Sequence, residues 1–281
     1  MKKILTFIFI TGLLFTSCKK KEIDNIQNQA NINNDLFKPT ETQANIANDG
    51  CLISFRNQNT ELCIILSDVA SEKFNLTTRI LATDTKKAFA VLKYNDKIVY
   101  GESGEINITN NNNKLSGNYN INFTTNIVIS DGIFTDIEIT NQQIISFESI
   151  LATDFYGNLI SGDQTDWLNN KEWGLIEKSI FKQDEFSISQ NDENKILGVF
   201  PNPFATISHF ALNKLETTKF EFVVVNSNFE IVYESPEIYE NNIAFNLSGL
   251  VTKNKYYRIY YIFTTDENEI FNGHGDIKIL E

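Results

Sequence analysis

Cys51 and Cys63 are the residues whose type and spacing most directly suggest chemistry. Each lies in an apolar segment that predicts a β-strand, and the polar residues 56–61 between them predict a turn. A hairpin centred on Asn57 would place the two thiols opposite each other. In an oxidising compartment this predicts a disulfide that closes a 13-residue loop, worth about 3 kcal/mol in the chain-entropy model. The alternative is two buried free thiols on adjacent strands.

Trp167 and Trp173 are the two tryptophans of the chain. Asp166 is a residue type that caps helices, and it predicts a helix from Trp167 through Trp173 to Phe181. A six-residue spacing does not place both indoles on one helical face. Exposed, the rings would offer a stacking surface for a sugar. The alternative is that both rings cap the junction between two β domains.

The chain offers few residues for catalysis or metal binding. It has two histidines, His209 and His274, and no spacing typical of a metalloprotease, a phosphate-binding loop or a serine hydrolase. His274 lies between two glycines, which predicts a flexible turn. Asp163 and Asp166 could offer oxygen ligands to Ca²⁺, but their spacing matches no known calcium loop. The sequence therefore predicts a protein that is not an enzyme and holds no metal or cofactor.

The start of the chain has the pattern of an export signal. Lys2 and Lys3 are followed by an apolar stretch at 4–15, which is too short for a bilayer span of about 20 residues and fits a secretory signal core. Thr16 and Ser17 are small residues, as a signal peptidase requires near its cleavage site. Cys18 comes directly after them.

The segment Phe15-Thr16-Ser17-Cys18 resembles the lipobox of bacterial lipoproteins of the Bacteroidetes type, with Phe15 in place of the usual Leu or Val. The resemblance implies cleavage between Ser17 and Cys18 and acylation of the Cys18 thiol by chains such as palmitate. Two or more acyl chains give stable anchoring, and the resemblance implies a location at the outer membrane of the cell envelope. The charged run at 19–22 suits either surface display or contact with anionic headgroups, so either face of that membrane remains open. The alternative is an ordinary signal peptide with an incidental cysteine.

Composition limits the partners. The chain has 281 residues, of which 42% are hydrophobic, and its net charge is −12 with a pI near 4.7. An acidic chain is a poor ligand for nucleic acid, so the expected partners are the membrane, through the anchor, and a protein or glycan. Residues 18–49 are rich in Asn and Gln and poor in apolar residues, which predicts a flexible tether.

Alternating strands dominate the segment 50–150. Residues 104–109, 115–123 and 133–139 alternate between apolar and polar side chains, and polar turns separate them. Short antiparallel strands with tight turns predict a first β domain, either a sandwich or a partly open barrel.

Three motifs in this segment resemble a β domain found in lipoproteins of the Bacteroidetes type. They are the G-x-I-x-I-T strand at 104–109, the L-S-G-x-Y strand at 115–119 and the S-D-G-x-F hairpin at 130–134. That family has no established activity, so the resemblance implies a fold and a compartment.

The remaining chain predicts a linker and a second β domain. Residues 151–195 have no sustained strand pattern, which predicts a linker with a short helix. Residues 196–281 contain about seven strand patterns, as in an immunoglobulin-like sandwich. The overall fold class is therefore all-β, with two antiparallel domains. Phe200-Pro201-Asn202-Pro203 and the Ser-Gly-Leu step at 248–250 also resemble the C-terminal sorting domain of type IX secretion cargo, although cargo normally carries no lipobox.

These patterns favour a membrane-anchored lipoprotein that acts as a non-enzymatic structural or interaction protein. The alternatives are a surface glycan-binding protein and a secreted protein with a type IX sorting domain. Glycan binding would need side-by-side exposure of Trp167, Trp173 or the tyrosines at 256, 257, 260 and 261. Burial of these rings would favour the interaction protein.

Overall fold

The computed structural model describes residues 28–47, 50–70, 72–141, 144–145, 147, 150–162, 166–169, 172–183, 186 and 193–280. The predicted signal peptide, its cleavage site at Ser17 and Cys18, and the residues up to 27 lie outside these ranges. Asp163 lies outside them as well.

The first domain is a ten-stranded sheet whose order is β2-β1-β10-β3-β4-β5-β7-β6-β8-β9. Its strands are β1 (Gln29–Ile32), β2 (Asp35–Phe37), β3 (Glu41–Ala47), β4 (Gly50–Arg56), β5 (Thr60–Leu66), β6 (Lys73–Leu76), β7 (Lys87–Tyr94), β8 (Lys97–Asn111), β9 (Lys114–Phe123) and β10 (Val128–Thr140). The additional pairing of β10 with β9 closes the sheet into a barrel. Closure removes most free edges, and it decides between the sandwich and barrel alternatives.

The barrel begins earlier in the chain than composition suggested. Strands β1, β2 and β3 lie within the segment that was expected to be a tether up to residue 49, so that expectation is wrong from Gln29 onward. The sparse apolar residues Ala30, Ile32 and Phe37 are buried in the barrel core. The asparagines serve turns and edges: the Asn33 side chain, for example, accepts a hydrogen bond from the Val128 amide at 2.9 Å. Asparagine-rich composition therefore reflects turn chemistry here.

The C-terminal domain is a sandwich of two sheets with seven strands, as predicted. One sheet has the order β13-β14-β17 and the other β16-β15-β18-β19. The strands are β13 (Lys195–Phe200), β14 (Ile207–Asn213), β15 (Lys219–Val225), β16 (Ile231–Glu234), β17 (Asn242–Asn246), β18 (Tyr256–Thr264) and β19 (Ile270–Lys278). All pairings within the two sheets are antiparallel. This division of strands is that of an immunoglobulin-like sandwich.

The connecting segment contains a small hairpin and one helix. The hairpin consists of β11 (Ala152–Thr153) and β12 (Leu159–Ser161), and the helix α1 spans Leu175–Phe181. The helix is shorter than the predicted one, because Gly174 caps it instead of Asp166. The carboxylate of Glu177 accepts the Gly174 amide hydrogen at 2.6 Å, which satisfies one of the free donors at the helix start.

A shared apolar core joins the two domains. Strand β5 sends Leu62, Ile64 and Leu66 into the barrel core and the intervening Cys63 and Ile65 outward. Strand β18 likewise directs alternate side chains into the sandwich core and toward the barrel. Both strands are therefore largely apolar along their length, since both of their faces are buried. We call the residues between the domains the junction core; they include Phe89, Val91, Trp173, Val223, Val225, Phe229, Ile231, Tyr260 and Ile262.

Among the residues that the structure places, no helix is long and apolar enough to cross a membrane.

Candidate functional site

A polar cleft of about 410 Å³ lies at the junction of the two domains. Its walls come from the outer face of β3, β4 and β5, from the start of α1 and from β18. Domain interfaces are common places for binding sites, and this one brings together Cys63, Glu177, Arg258 and Tyr260. The cleft is therefore the part of the junction where side chains that could do chemistry lie together.

Tyr260 and Glu177 connect the sandwich to the helix. The Tyr260 hydroxyl donates a hydrogen bond to Glu177 Oε1 at 3.2 Å, and the other oxygen of the same carboxylate caps α1 through Gly174. Burial and the neighbouring Glu177 charge both raise the pKa of Tyr260. The phenol stays protonated at neutral pH, which suits a structural donor and disfavours a general base.

Arg258 and Asp276 form a buried ion pair. They lie opposite each other on β18 and β19, and the guanidinium donates two hydrogen bonds to the carboxylate, at 2.7 Å and 2.9 Å. Burial lowers the pKa of Arg258, but the hydrogen bond and charge of Asp276 outweigh burial and raise it overall. A bidentate pair of this kind keeps both charges compensated. It therefore positions β18 against β19, and the Arg258 guanidinium is already bound to Asp276.

Cys63 and Cys51 lie on opposite faces of the same hairpin, and both are buried free thiols. The turn pairs Arg56 with Glu61, so Cys51 faces Leu66 and Cys63 faces Ser54. The expected opposition of the two cysteines, and with it the disulfide, is therefore wrong. When the centre of the hairpin lies away from Asn57, different residues of β4 and β5 come opposite each other. A register that differs by an odd number of residues also turns each side chain of a strand to the other face of the sheet.

The thiols are also poor nucleophiles. Burial raises the pKa of Cys51 to about 12, and burial together with the Glu61 carboxylate raises that of Cys63 further above its ordinary value. Because the thiolate is the reactive form, the cleft holds Cys63 in its inert state. The geometry supports binding at this cleft better than nucleophilic chemistry.

Both tryptophans are buried, each with 4% of its surface exposed. Trp167 packs in the sandwich core against Tyr261 at a ring distance of 6.3 Å. Trp173 lies in the junction core between Tyr260 and Phe181. Neither ring can stack on a sugar in this arrangement, so the assignment of a glycan platform to them is wrong.

The four tyrosines named with the tryptophans do not form a platform either. Tyr257, Tyr260 and Tyr261 are buried, and Tyr256 is 39% exposed. The Tyr256 ring stacks on Phe147 at 6.0 Å and lies 5.3 Å from the Lys278 ammonium. One partly exposed ring does not provide the side-by-side exposure that glycan stacking was expected to need.

His274 and Asp166 have structural surroundings. His274 lies within β19 and is buried, so the expected flexible turn is wrong. The buried Asp166 carboxylate accepts the backbone amide of Asp276 at 3.2 Å and that of Leu151 at 3.4 Å. Over the described ranges, no group of three His, Cys, Asp or Glu side chains could hold a metal ion.

The hairpin β11–β12 exposes four large apolar side chains that the sequence pattern did not predict. We call Phe155, Tyr156, Leu159 and Ile160 the hairpin patch. Phe155 is 69% and Tyr156 83% exposed, and their rings meet edge to face at 5.8 Å. The available signal was the turn pattern at 154–158, because residues at the tip of a turn point into solvent.

The comparisons with known proteins identify one family. Residues 25–138 match the model of a family described as a domain of unknown function, DUF6252. The matched range corresponds to strands β1 to β10 and therefore to the barrel. It includes the motifs at 104–109, 115–119 and 130–134. The last of these was expected to be a hairpin, which is wrong, because it lies within the single strand β10 at an irregularity of the register. A search of the curated proteins found no match. The barrel is thus similar to a recognised domain family whose function is unknown.

Proposed function

We propose that this protein is a lipid-anchored protein of the bacterial cell envelope that binds another protein through the hairpin patch, without catalysing a reaction. The observation that carries the proposal is the exposure of four large apolar side chains on one hairpin. The two aromatic rings alone leave on the order of 300 Å² of surface in water, if a whole aromatic side chain has about 200 Å². The largest exposed apolar patch of a typical monomer covers about 300–600 Å² and is often functional.

The hairpin patch is held in one conformation. Asp154 Oδ1 accepts hydrogen bonds from the amides of Tyr156 at 2.8 Å and Asn158 at 2.9 Å, and Oδ2 accepts from the Asn158 side chain at 2.8 Å. These hydrogen bonds lower the pKa of Asp154, and the bond from the Asn158 side chain has the largest effect. Thr153 joins the base of the hairpin to the sandwich through Val199 and Asn202. A preorganised surface loses less conformational entropy when it binds.

The anchor rests on the lipobox at 15–18, with Cys18 as the lipidated residue. Because β1 begins at Gln29, ten residues (19–28) lie between Cys18 and the first strand. Even a fully extended chain of that length reaches at most about 35 Å. An acylated Cys18 would therefore keep the barrel close to the membrane, and the hairpin patch would meet partners in the same layer of the envelope.

The type IX alternative receives less support. A sorting domain must act as an addition to its cargo, whereas here Val223, Val225 and Ile262 of the sandwich are buried in the core shared with the barrel. Removal of the sandwich would expose that apolar face of the barrel. The resemblance at 200–203 and 248–250 thus favours a common sandwich fold over a common secretion route.

Site-specific photo-crosslinking in cells tests partner binding. A photo-reactive residue in place of Tyr156 should give a defined protein adduct, and the same residue in place of the exposed Lys253 should not. Adding Ile160→Ser to the chain that carries the crosslinker at position 156 should remove the adduct, because it removes an exposed apolar side chain from the same hairpin. Identical adducts from both positions, or none from either, would refute the hairpin patch as a binding surface.

The anchor is tested separately by metabolic labelling with a palmitate analogue. The wild-type protein should incorporate the label and fractionate with membranes, and Cys18→Ala should lose both properties. A labelled or membrane-bound Cys18→Ala protein would exclude Cys18 as the anchor, and it would leave the crosslinking result unaffected.

A further inference from the structure

A second cavity lies at the junction, next to the polar cleft, and Phe229 contributes to the walls of both. Its volume is about 220 Å³, and its floor is apolar: the walls include Ile65, Ile80, Phe89, Ile180, Phe229 and Ile231. Most of these side chains are nearly inaccessible to solvent and belong to the junction core. The cavity therefore combines an apolar interior with a position between two domains, which is typical of small-ligand sites.

The cavity is preformed, because backbone hydrogen bonds connect its two sides. The Ile231 amide donates to the Ile80 carbonyl at 3.0 Å, and the Ala82 amide donates to the Ile231 carbonyl at 3.0 Å. These bonds join the loop after β6 in the barrel to β16 in the sandwich. A ligand would thus find the walls in place and would not have to bring the domains together.

The volume sets the size of the ligand. An engineered apolar cavity of about 150 Å³ holds benzene. A cavity of 220 Å³ therefore accommodates a single ring with a short substituent, or a short alkyl chain. A long acyl chain exceeds it.

The rim of the cavity carries positive charge. Arg79 and Lys182 line it together with the hydroxyl-bearing Thr78 and Ser179. Arg79 pairs with Glu234, and the two side chains are 51% and 33% exposed. An ion pair as exposed as this one contributes little to stability, so a ligand carboxylate could replace Glu234 as the partner of Arg79. Glu234 compensates one of the two cations, so the charge of Lys182 gives the rim a net positive charge.

We propose that this cavity binds a small amphipathic carboxylate, with a single aromatic ring or short alkyl chain on the apolar floor and the carboxylate group at Arg79 and Lys182. The apolar walls supply the affinity through burial, and the guanidinium fixes the orientation through charge-assisted hydrogen bonds. This site is distinct from the hairpin patch and requires neither the anchor nor a protein partner.

The test uses the chain with Cys18→Ser, which removes the proposed lipid attachment, and calorimetric titration with phenylacetate. Phenylacetate should bind saturably, and benzyl alcohol, which has a similar ring and no charge, should bind at least tenfold more weakly. Palmitate should not compete with phenylacetate, because it exceeds the volume.

Two variants and a matched control locate the site. Arg79→Gln should weaken phenylacetate binding about tenfold and leave benzyl alcohol unaffected, and Ile180→Trp should fill the cavity and remove binding of both. Lys73→Gln removes an equally exposed cation that pairs with Glu105, and it should bind like the parent. The absence of saturable phenylacetate binding, or equal losses in Arg79→Gln and Lys73→Gln, would overturn the proposal, since both surface variants are expected to fold.

Discussion

At the scale of single residues, glycine and aromatic side chains interlock in β19. A Cβ at Gly275 would overlap the ring of Trp167, and one at Gly273 would overlap the hydroxyl of Tyr261. The Tyr261 hydroxyl in turn donates to the Trp167 carbonyl at 2.8 Å. The two glycines beside His274 thus leave space on the buried strand β19 for the side chains of Tyr261 and Trp167. A pattern that looks like a flexible turn in the sequence serves close packing in the fold.

Gly275→Ala should lower the free energy of unfolding by about 1–3 kcal/mol, because the added methyl group overpacks the core against Trp167. Urea unfolding, followed by tryptophan fluorescence, measures the change. Gly198→Ala is the matched control: the nearest atom to its Cβ is Phe200 Cδ1 at 3.8 Å, and its effect should stay within about 0.5 kcal/mol. Equal effects of the two substitutions would contradict the close approach at Gly275.

At the scale of elements, the hairpin β4–β5 shows why register matters. Both strands were predicted at their correct places in the chain, and their pairing is antiparallel as expected. The position of the turn, however, differs by more than a residue from the predicted centre. That small difference places Cys51 in the barrel core and Cys63 in the junction core, on opposite sides of one sheet.

Thiol titration of the Cys18→Ser chain checks this register. After denaturation without reductant, two thiols per chain should react, one from Cys51 and one from Cys63. In the native protein at pH 8 both should react slowly, because burial raises the pKa of Cys51 to about 12 and that of Cys63 also rises, so both remain protonated below those values.

An exposed cysteine introduced as Lys97→Cys serves as the fast-reacting control for that titration. If the denatured, unreduced chain offered no reactive thiol, Cys51 and Cys63 would be bonded to each other and the register described here would be incorrect.

At the scale of the whole molecule, the junction core joins the two domains through a shared apolar contact, which predicts that they unfold together. The sandwich buries Ile262 and Val225 against Ile65 and Val91 of the barrel, and α1 covers the same core with Ile176 and Ile180. Interfaces between independent domains are usually more polar than this one. The proposed carboxylate cavity and the polar cleft both depend on this contact, since each has walls from both domains.

Ile262→Asp should uncouple the domains, because it buries a charge without a partner in the junction core. Wild-type protein should unfold in urea in a single transition by circular dichroism and by fluorescence, with Trp173 reporting on the junction. The variant should lose several kcal/mol of stability or unfold in two steps.

Ile207→Asp, at a half-exposed position on β14, controls for the introduction of a charge on the sandwich. It should change the free energy of unfolding by no more than about 0.5 kcal/mol. A single transition with an unchanged midpoint in Ile262→Asp would show that the junction core does not couple the domains.

The sequence by itself determined the all-β class, the approximate number of strands in the sandwich and the barrel strands β4, β5 and β7 to β10. These depend on period-two alternation and turn residues, which are local properties of the chain. The apolar segments around Cys51 and Cys63 indicated strands, although they did not indicate what covers each face.

Only the tertiary structure decided the register of Cys51 and Cys63, the burial of Trp167 and Trp173, the pairing of Arg258 with Asp276 and the exposure of the hairpin patch. Each depends on contacts between residues far apart in the chain: Arg258 and Asp276 differ by 18 in residue number, and Tyr260 and Glu177 differ by 83. Local patterns carry no information about which apolar face meets another and which meets water. For this reason the strands could be predicted from the sequence, and the cavities and the hairpin patch could not.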